Sequence, residues 1–257
     1  MMTQCMPLET SEDAVVGGRL VLRQPRRGHR VGHDAILLAA ATSAYAGEYV
    51  VDLGAGVGAA GLALALRVAG LTVTLVEIDP ALAQFGGDNA ERNGLGGRVR
   101  AVCLDVTAPT AHFAAVGLEK ESTNRVLMNP PFNVLQNSSP EPGRRLAHAA
   151  SRGTLRQWVR TASRLLRAAG VLTLIWRADG LDEVLTELAS GFGAIAVLPI
   201  HPKPGAPAIR VLARAVKGSR ASLSLLPGFV LADANGKPSD AAERVLRGGG
   251  VLPLAEI

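Results

Sequence analysis

Only two cysteines, Cys5 and Cys103, occur in the 257 residues. Two thiols so far apart make no disulfide framework and no paired metal-ligand spacing, which excludes a disulfide-stapled secreted scaffold and a zinc module. Aromatic residues are scarce as well, at 4% against 48% hydrophobic residues. No uninterrupted run of about 18 apolar residues is present, so a membrane span is excluded and the mean hydropathy of +0.22 reflects a buried interior. The first residues, MMTQCMPLETSED, lack a basic segment followed by an apolar one, so no secretory signal is read there. Internal repeats are missing, and low complexity is confined to Gly248–Gly250. These absences predict a soluble, cytoplasmic protein with one domain over residues 1–257. Within it, 1–18 are expected to be flexible, 19–46 to form a strand and helix, 47–217 the cofactor-binding core and 218–257 a C-terminal extension.

Acid is missing from long stretches. The formal charge is only +5. Residues 14–33 nonetheless hold Arg19, Arg23, Arg26, Arg27 and Arg30 with no acid. Residues 142–178 hold Arg144, Arg145, Arg152, Arg156, Arg160, Arg164, Arg167 and Arg177 with none, and residues 200–232 hold Lys203, Arg210, Arg214, Lys217 and Arg220 with none. The remainder of the chain is strongly acidic. If the three basic segments meet in space, they suit a polyanionic partner.

What is present is alternation. Short Val- and Leu-rich runs at 49–53, 72–77, 98–104, 125–129 and 171–176 read as buried strands. Helical patterns at 59–69, 80–93, 107–118, 152–168 and 181–190 separate or follow them. This predicts an α/β fold: a doubly wound, seven-stranded, mostly parallel sheet with helices on both faces. Two late strands, 194–200 and 208–215, flank the seven-residue loop HPKPGAP, too short for a crossover helix, so one late strand runs antiparallel. Residues 19–24 read as an edge strand, 34–46 as a small-residue helix capped by Asp34, 222–232 as a further short strand and 239–247 as a short helix.

The first parallel strand ends in Asp52 and runs into Gly54, Ala55, Gly56, Val57 and Gly58, with Gly61 in the next helix. Glycines allow a sharp turn and close approach of backbone to a ligand at a sheet's carboxyl edge. Gly56, Gly58 and Gly61 also match the dinucleotide pattern G-x-G-x-x-G, which keeps a nicotinamide or flavin cofactor in view. Asp52 argues the other way: a carboxylate there repels a pyrophosphate and attracts an α-ammonium group such as that of S-adenosylmethionine. Glu77, beside Ile78 at the end of the next strand, suits ribose hydroxyls, and Asp105 after the third strand suits an adenine amino group. Asp79, ahead of Pro80, reads instead as a helix cap.

The fourth strand ends in Asn129, Pro130, Pro131 and Phe132. An exocyclic or amide nitrogen is a poor nucleophile because its lone pair is delocalised. The Asn129 side-chain oxygen and the Pro130 carbonyl are two acceptors that can hold its two N–H bonds and aim that lone pair at a sulfonium methyl group. Consecutive prolines fix the chain and remove competing N–H groups, and Phe132 offers a plane for stacking a base. Catalysis of this kind rests on alignment and electrostatics.

With this tetrad three strands after the glycine loop, the chain resembles class I S-adenosylmethionine-dependent methyltransferases of the Asn-Pro-Pro-(Tyr/Phe) amino-methylating group. The run Gln24-Pro25-Arg26-Arg27-Gly28-His29-Arg30-Val31-Gly32-His33-Asp34-Ala35-Ile36-Leu37-Leu38-Ala39 resembles the N-terminal motif of the tRNA(valine) adenine-N6 methyltransferase family. His201-Pro202-Lys203 and Ala208-Ile209-Arg210-Val211-Leu212 resemble that family's C-terminal strands. The resemblance spans roughly residues 15–250. It implies S-adenosylmethionine as cofactor, no metal, and methylation of an adenine N6 in structured RNA, at the position beside a tRNA anticodon. It also implies that Arg30 and Asp34 lie near the methionine end of the cofactor.

Arg26, Arg27, Arg144 and Arg145 are the candidate RNA contacts. Arg152, Arg156, Arg160, Arg164 and Arg167 recur at helical spacing opposite Leu155, Trp158, Val159, Ala162, Leu165 and Leu166, which also fits an ordinary solvated helix face. His29, His33 and His148 receive no role. Two other readings stay open. One is methylation of a protein glutamine amide or an rRNA guanine N2 by the same tetrad; the other is a non-catalytic RNA-binding protein on a methyltransferase fold.

Overall fold

A computed structural model describes residues 9–27, 30–131 and 142–257, the side chains of 142–152 excepted. The chain begins with an antiparallel hairpin, β1 (Thr10–Val15) and β2 (Leu20–Pro25), and enters α1 (His33–Ala41). An alternating series follows: β3 (Tyr49–Leu53), α2 (Ala59–Arg67), β4 (Thr72–Glu77), α3 (Pro80–Arg92), β5 (Val99–Cys103), α4 (Thr110–Ala115), β6 (Thr123–Met128), α5 (Pro142–Leu165) and β7 (Leu166–Arg177). Then come α6 (Leu181–Leu188), β8 (Phe192–His201), β9 (Arg210–Lys217), β10 (Ser224–Leu225), β11 (Phe229–Val230) and α7 (Asp240–Leu246).

The sheet order is β10-β8-β9-β7-β6-β3-β4-β5, with β11 also on β8. Among the described strands of this sheet, only β9 runs against its neighbours, pairing antiparallel with both β7 and β8. The predicted doubly wound sheet with one antiparallel late strand is therefore present, with nine strands in place of seven. The two extra strands are two-residue pieces of the segment 222–232, each parallel to β8.

Alternate strand residues face opposite sides, so Leu127 packs with Leu37, Leu62 and Leu75 on one face. Val126 and Met128 pack with Phe113, Leu155 and Trp176 on the other. The chain winds outward from β3 through β4 to β5, then returns to β6 on the other side of β3. That reversal opens a crevice at the carboxyl ends of β3 and β6, the usual ligand position in such sheets.

The segment 20–25 does not border the main sheet as expected. It pairs with β1, inside the stretch 1–18 expected to be flexible. Its other edge is taken by two amides of α3. Asn93 accepts from Val21 N–H (2.9 Å) and donates to Val21 C=O (2.8 Å), and Asn89 accepts from Arg23 N–H (2.8 Å) and donates to Arg23 C=O (3.0 Å). These side chains satisfy backbone groups that another strand would otherwise claim.

Three helices also differ from expectation. In α1 the N-cap is Gly32, and Asp34 sits in the first turn without capping it. Its carboxylate accepts from Arg210 Nε of β9 instead (2.9 Å). The segment 107–118 shortens to α4, which starts only after Pro109. The helix expected from residue 152 begins at Pro142, consistent with proline's suitability for a first helical turn.

Candidate active site

A cavity of about 590 Å³ occupies the crevice. Its floor is the glycine loop, Gly54, Ala55 and Gly56, with Asp52 beneath it. Glu77, Ile78 and Asp105 form one wall, and Arg30 and Asp34 another. Asn129, Pro130 and Pro131 close the side nearest β6. The structure thus gathers nearly all the predicted cofactor and tetrad residues into one space.

Among the described residues Gly58 is the exception, lying behind the loop. It takes φ +90° as the N-cap of α2, and a Cβ there would stand 2.8 Å from the Leu75 side chain. Gly54 is more constrained. It has φ +69°, and a Cβ would lie 2.2 Å from Cη2 of Trp158, a residue of α5 whose indole lies against the loop. Gly54→Ala is expected to cost about 2–5 kcal/mol, combining left-handed backbone strain with overpacking. Chemical denaturation measures it, and a loss below 1 kcal/mol would contradict this packing.

The acids have distinct holdings. Asp52 is 2% exposed, and its Oδ2 accepts the Gly61 N–H (2.8 Å). Burial pushes its carboxyl up to about 7; the Gly61 N–H opposes the rise and neighbouring Glu77 adds to it. Glu77 spans the loop, accepting Gly56 N–H on one oxygen (2.8 Å) and Asp79 N–H on the other (2.9 Å). Asp79 caps α3 through the N–H groups of Ala81 and Leu82, as its position before Pro80 predicts. Asp105 is fixed by Thr107, whose N–H and hydroxyl both donate to Oδ1.

Arg30, the guanidinium on the cavity wall, donates to both oxygens of Asp13 at 2.8 Å. Gln24, 2% exposed, completes this arrangement by donating to Asp13 (2.8 Å) and accepting from Val31 N–H (2.9 Å). Hydrogen bonds from Gln24 and Ser11, together with the Arg30 cation, hold the Asp13 carboxyl below its ordinary pKa. The hairpin therefore shapes the wall that Arg30, Val31 and Gly32 contribute. Asp13 and Gln24 were not singled out as site residues from the sequence; their role follows from contacts across the hairpin, which local motifs do not reveal.

Asn129 follows β6 directly. Its Oδ1 is buried and has no hydrogen-bond partner among the described residues. Pro130 is buried and Pro131 is exposed, while Phe132 lies outside the described residues. So do the side chains of Arg144, Arg145 and His148, as well as Gly28 and His29.

Most arginines of 14–33 are engaged by groups of the chain itself. Arg19 donates to Gly248 C=O, Arg23 to Thr10 Oγ1, and Arg26 to Thr10 C=O. Arg27 is exposed. In the α5 stripe, Arg156 pairs with Glu187 (3.1 Å), and Arg164 lies over the Phe113 ring while donating to Thr110. Those two belong to packing between helices, closer to the ordinary reading of a helix surface than to a dedicated RNA face.

Trp158 is the cavity residue that its sequence position misassigned. Helical spacing places it on the apolar side of α5, and the structure adds that the indole reaches the glycine loop. Only the non-local approach of α5 to β3 reveals this.

A doubly wound sheet with a glycine loop after its first parallel strand, an acid closing the second and Asn-Pro-Pro closing the fourth is the architecture of a Rossmann-like, S-adenosylmethionine-dependent methyltransferase. The model of the methyltransferase small domain family matches residues 30–203, and the chain belongs to that family. It is similar to the tRNA1(Val) (adenine(37)-N6)-methyltransferase of Bacteroides fragilis, with 29% identity over 187 residues, 71% of this chain and 75% of that protein. It is also similar to the release factor glutamine methyltransferase of Chlorobaculum tepidum, with 32% identity over 163 residues, 60% of this chain and 54% of that protein. Among solved structures, a predicted O-methyltransferase from Agrobacterium tumefaciens superposes with a TM-score of 0.72 at 29% identity, covering 85% of this chain and 98% of that one. The 16S rRNA N2 G1207 methyltransferase of T. thermophilus shares the fold, with a TM-score of 0.56 at 22% identity, covering 81% of this chain and 50% of that one.

Among the described residues, no helix is long and apolar enough to cross a membrane. None of the described His, Cys, Asp and Glu side chains group in threes as a metal site.

Proposed function

We propose that this enzyme methylates the N6 amino group of an adenine in structured RNA, with a tRNA anticodon loop as substrate and S-adenosylmethionine as methyl donor. The observation that carries the reading is the buried, unpartnered Asn129 Oδ1 on the wall of the cavity. A buried acceptor without a partner costs on the order of 1–3 kcal/mol. An incoming amino group relieves that cost only when bound, so the site is preorganised for an N–H donor.

The cavity also fits the cofactor. Its volume is that of a small-molecule site. Asp34, Asp52, Glu77 and Asp105 line it against a single guanidinium already bound to Asp13. Such a lining favours a ligand bearing ammonium and sulfonium charge and opposes a dinucleotide pyrophosphate. S-adenosylmethionine supplies a methyl group on a sulfonium sulfur. Asp52 and the glycine loop hold its amino-acid portion together with Arg30 and Asp34; Glu77 holds the ribose, and Ile78 and Asp105 flank the adenine.

Toward the substrate, Asn129 Oδ1 and the Pro130 carbonyl accept the two N–H bonds of the amino group. This fixes the nitrogen and directs its lone pair, while Pro131 keeps the turn rigid and Phe132 stacks the base. Arg26, Arg27, Arg144 and Arg145 are the proposed phosphate contacts.

Labelled-methyl transfer to unmodified tRNA, to rRNA and to release factor, followed by mass spectrometry of the product, tests the reading. N6-methyladenine in tRNA is expected. Methylglutamine in release factor, consistent with the Chlorobaculum relative, or N2-methylguanine in rRNA would replace it.

A further inference from the structure

The cavity wall that runs from Arg30 to Ala35 is held from two sides. On one side the hairpin binds Arg30 and Val31. On the other, Asp34 is bound from the far part of the chain by Arg210, 176 residues away. Arg210 opens β9, the antiparallel late strand, and does not itself line the cavity, whereas Asp34 does.

Asp34 lies in the first turn of α1, whose N-cap, Gly32, supplies no side-chain cap. The first N–H groups of a helix lack intrahelical partners, and the positive end of the helix dipole draws a carboxylate toward them. An unheld Asp34 would therefore turn back onto its own helix. Arg210 prevents this. Alternation places it on the same face of β9 as Leu212, which shares a core with Leu37 of α1. Its Nε donates to Asp34 Oδ2 (2.9 Å), and its Nη1 donates to the Ile209 carbonyl (3.0 Å), which braces the guanidinium on its own strand. Arg177, the cross-strand neighbour on β7, is bound to Glu183 of α6 (2.8 Å), so the two cations take separate acids. The side chains of Arg210 and Asp34 are 28% and 27% exposed, so solvent screens this pair less than one on an open surface. Among the described residues, Asp34 Oδ1 makes no hydrogen bond.

One oxygen anchored and the other open is the arrangement of a carboxylate set to take an N–H donor from a ligand. We infer that Arg210 is a positioning residue for the cofactor: it draws Asp34 off the helix terminus and leaves Oδ1 to accept from the α-ammonium group of S-adenosylmethionine. This rests on the place given above to Asp34, at the methionine end of the cofactor. Cofactor affinity then depends on β9, a strand that lies beyond β7 from the tetrad strand.

S-adenosylhomocysteine and 5′-methylthioadenosine share the nucleoside and the sulfur, and only the first carries the amino-acid end. Arg210→Met keeps an unbranched stem and removes the donor. The variant is expected to raise the Kd for S-adenosylhomocysteine about tenfold, the worth of one hydrogen bond to a charged group. The Kd for methylthioadenosine should stay within about twofold of wild type, which also reports that the cavity has kept its fold. Asp34→Asn is expected to cost S-adenosylhomocysteine about as much as Arg210→Met, and the double variant little more than either alone, as coupled residues require. Titration calorimetry on each preparation measures these values.

Unchanged S-adenosylhomocysteine affinity in Arg210→Met would overturn the inference, as would equal losses for the two ligands, which mark a merely structural role. Tighter binding would overturn it too, since Arg210 would then be competing with the ammonium group for Asp34. Additive losses in the double variant would separate the two residues and have the same consequence. If Asp34→Asn itself leaves S-adenosylhomocysteine binding unchanged, it is the place given to Asp34 that fails, and the role of Arg210 with it.

Discussion

Replacing Asn129 with alanine is expected to lower the single-turnover rate of methyl transfer on the order of 10³-fold, with the Kd for S-adenosylhomocysteine changed by no more than a few-fold. The size follows from what the side chain does. It holds a weakly nucleophilic nitrogen in line with a methyl group, and loss of one preorganised polar contact in a dry site costs on the order of 10²–10³ in rate. Loss of orientation adds to that. Binding is spared because the cofactor cavity is built from the carboxyl ends of β3 and β4 and from the hairpin wall, with Asn129 only at its margin. Calorimetry with S-adenosylhomocysteine and a labelled-methyl quench assay on one preparation give both numbers. Retained turnover would remove the amine-holding role of the tetrad.

Asp52→Asn is expected to have opposite effects on stability and binding. The native Asp52 carboxyl has its pKa raised from 3.8 to about 7, chiefly by burial. The fold thus favours the protonated acid. Its stabilising contribution is complete below pH 3.8 and is lost as pH rises through 7. At pH 8 the ionised group costs the ligand-free protein up to ~4 kcal/mol, taking 1.36 kcal/mol for each pKa unit. Asparagine keeps an acceptor for the Gly61 N–H and removes the charge. The ligand-free variant is therefore expected to melt several degrees above wild type at pH 8 and nearly level with it at pH 4.

Binding moves the other way. A cationic ligand needs the carboxylate, so the variant should lose at least tenfold in affinity for S-adenosylmethionine at pH 8. In wild type, affinity should fall as pH drops below 7, approaching tenfold per unit. Thermal melts with and without cofactor across pH 4–9 follow both effects. A variant that melts lower than wild type at pH 8 while binding normally would contradict the burial and charge assigned to Asp52.

The parts of the site that were legible in the sequence are those written in contiguous residues. Asp52 through Gly58, Glu77, Asp105 and Asn129-Pro130-Pro131 each close a strand, and a parallel sheet brings strand ends together. A run of strands and helices was therefore enough to predict their convergence. Trp158 was not legible as a site residue, because its spacing on α5 is that of any core residue. Its position against Gly54 depends on how α5 lies across β3.

The charge balance around the basic segment 14–33 was only partly legible, for a related reason. Counting acids within the segment found none, yet Thr10 and Asp13 stand just upstream, and the β1–β2 pairing brings them against Arg23, Arg26 and Arg30. A linear window records charge and misses a cross-strand partner. The capping role read for Asp34 failed in the same way, since Arg210 lies 176 residues away in sequence.

Asn89 joins regions that look independent. This fully buried amide holds Arg23 of the hairpin by both backbone groups and also donates to Val57 C=O in the cofactor loop (3.0 Å). Four residues along a helix rise about 6 Å, close to the ~6.6 Å of two residues along a strand. Asn89 and Asn93 can therefore grip Arg23 and Val21 together in one register only. For anyone engineering this enzyme, the first thirty residues are not a neutral place for truncations or close-fitting fusion partners. Displacing the hairpin would withdraw Asp13 from Arg30 and release the amide that steadies Val57, loosening the cofactor cavity from a part of the chain that lies in front of it.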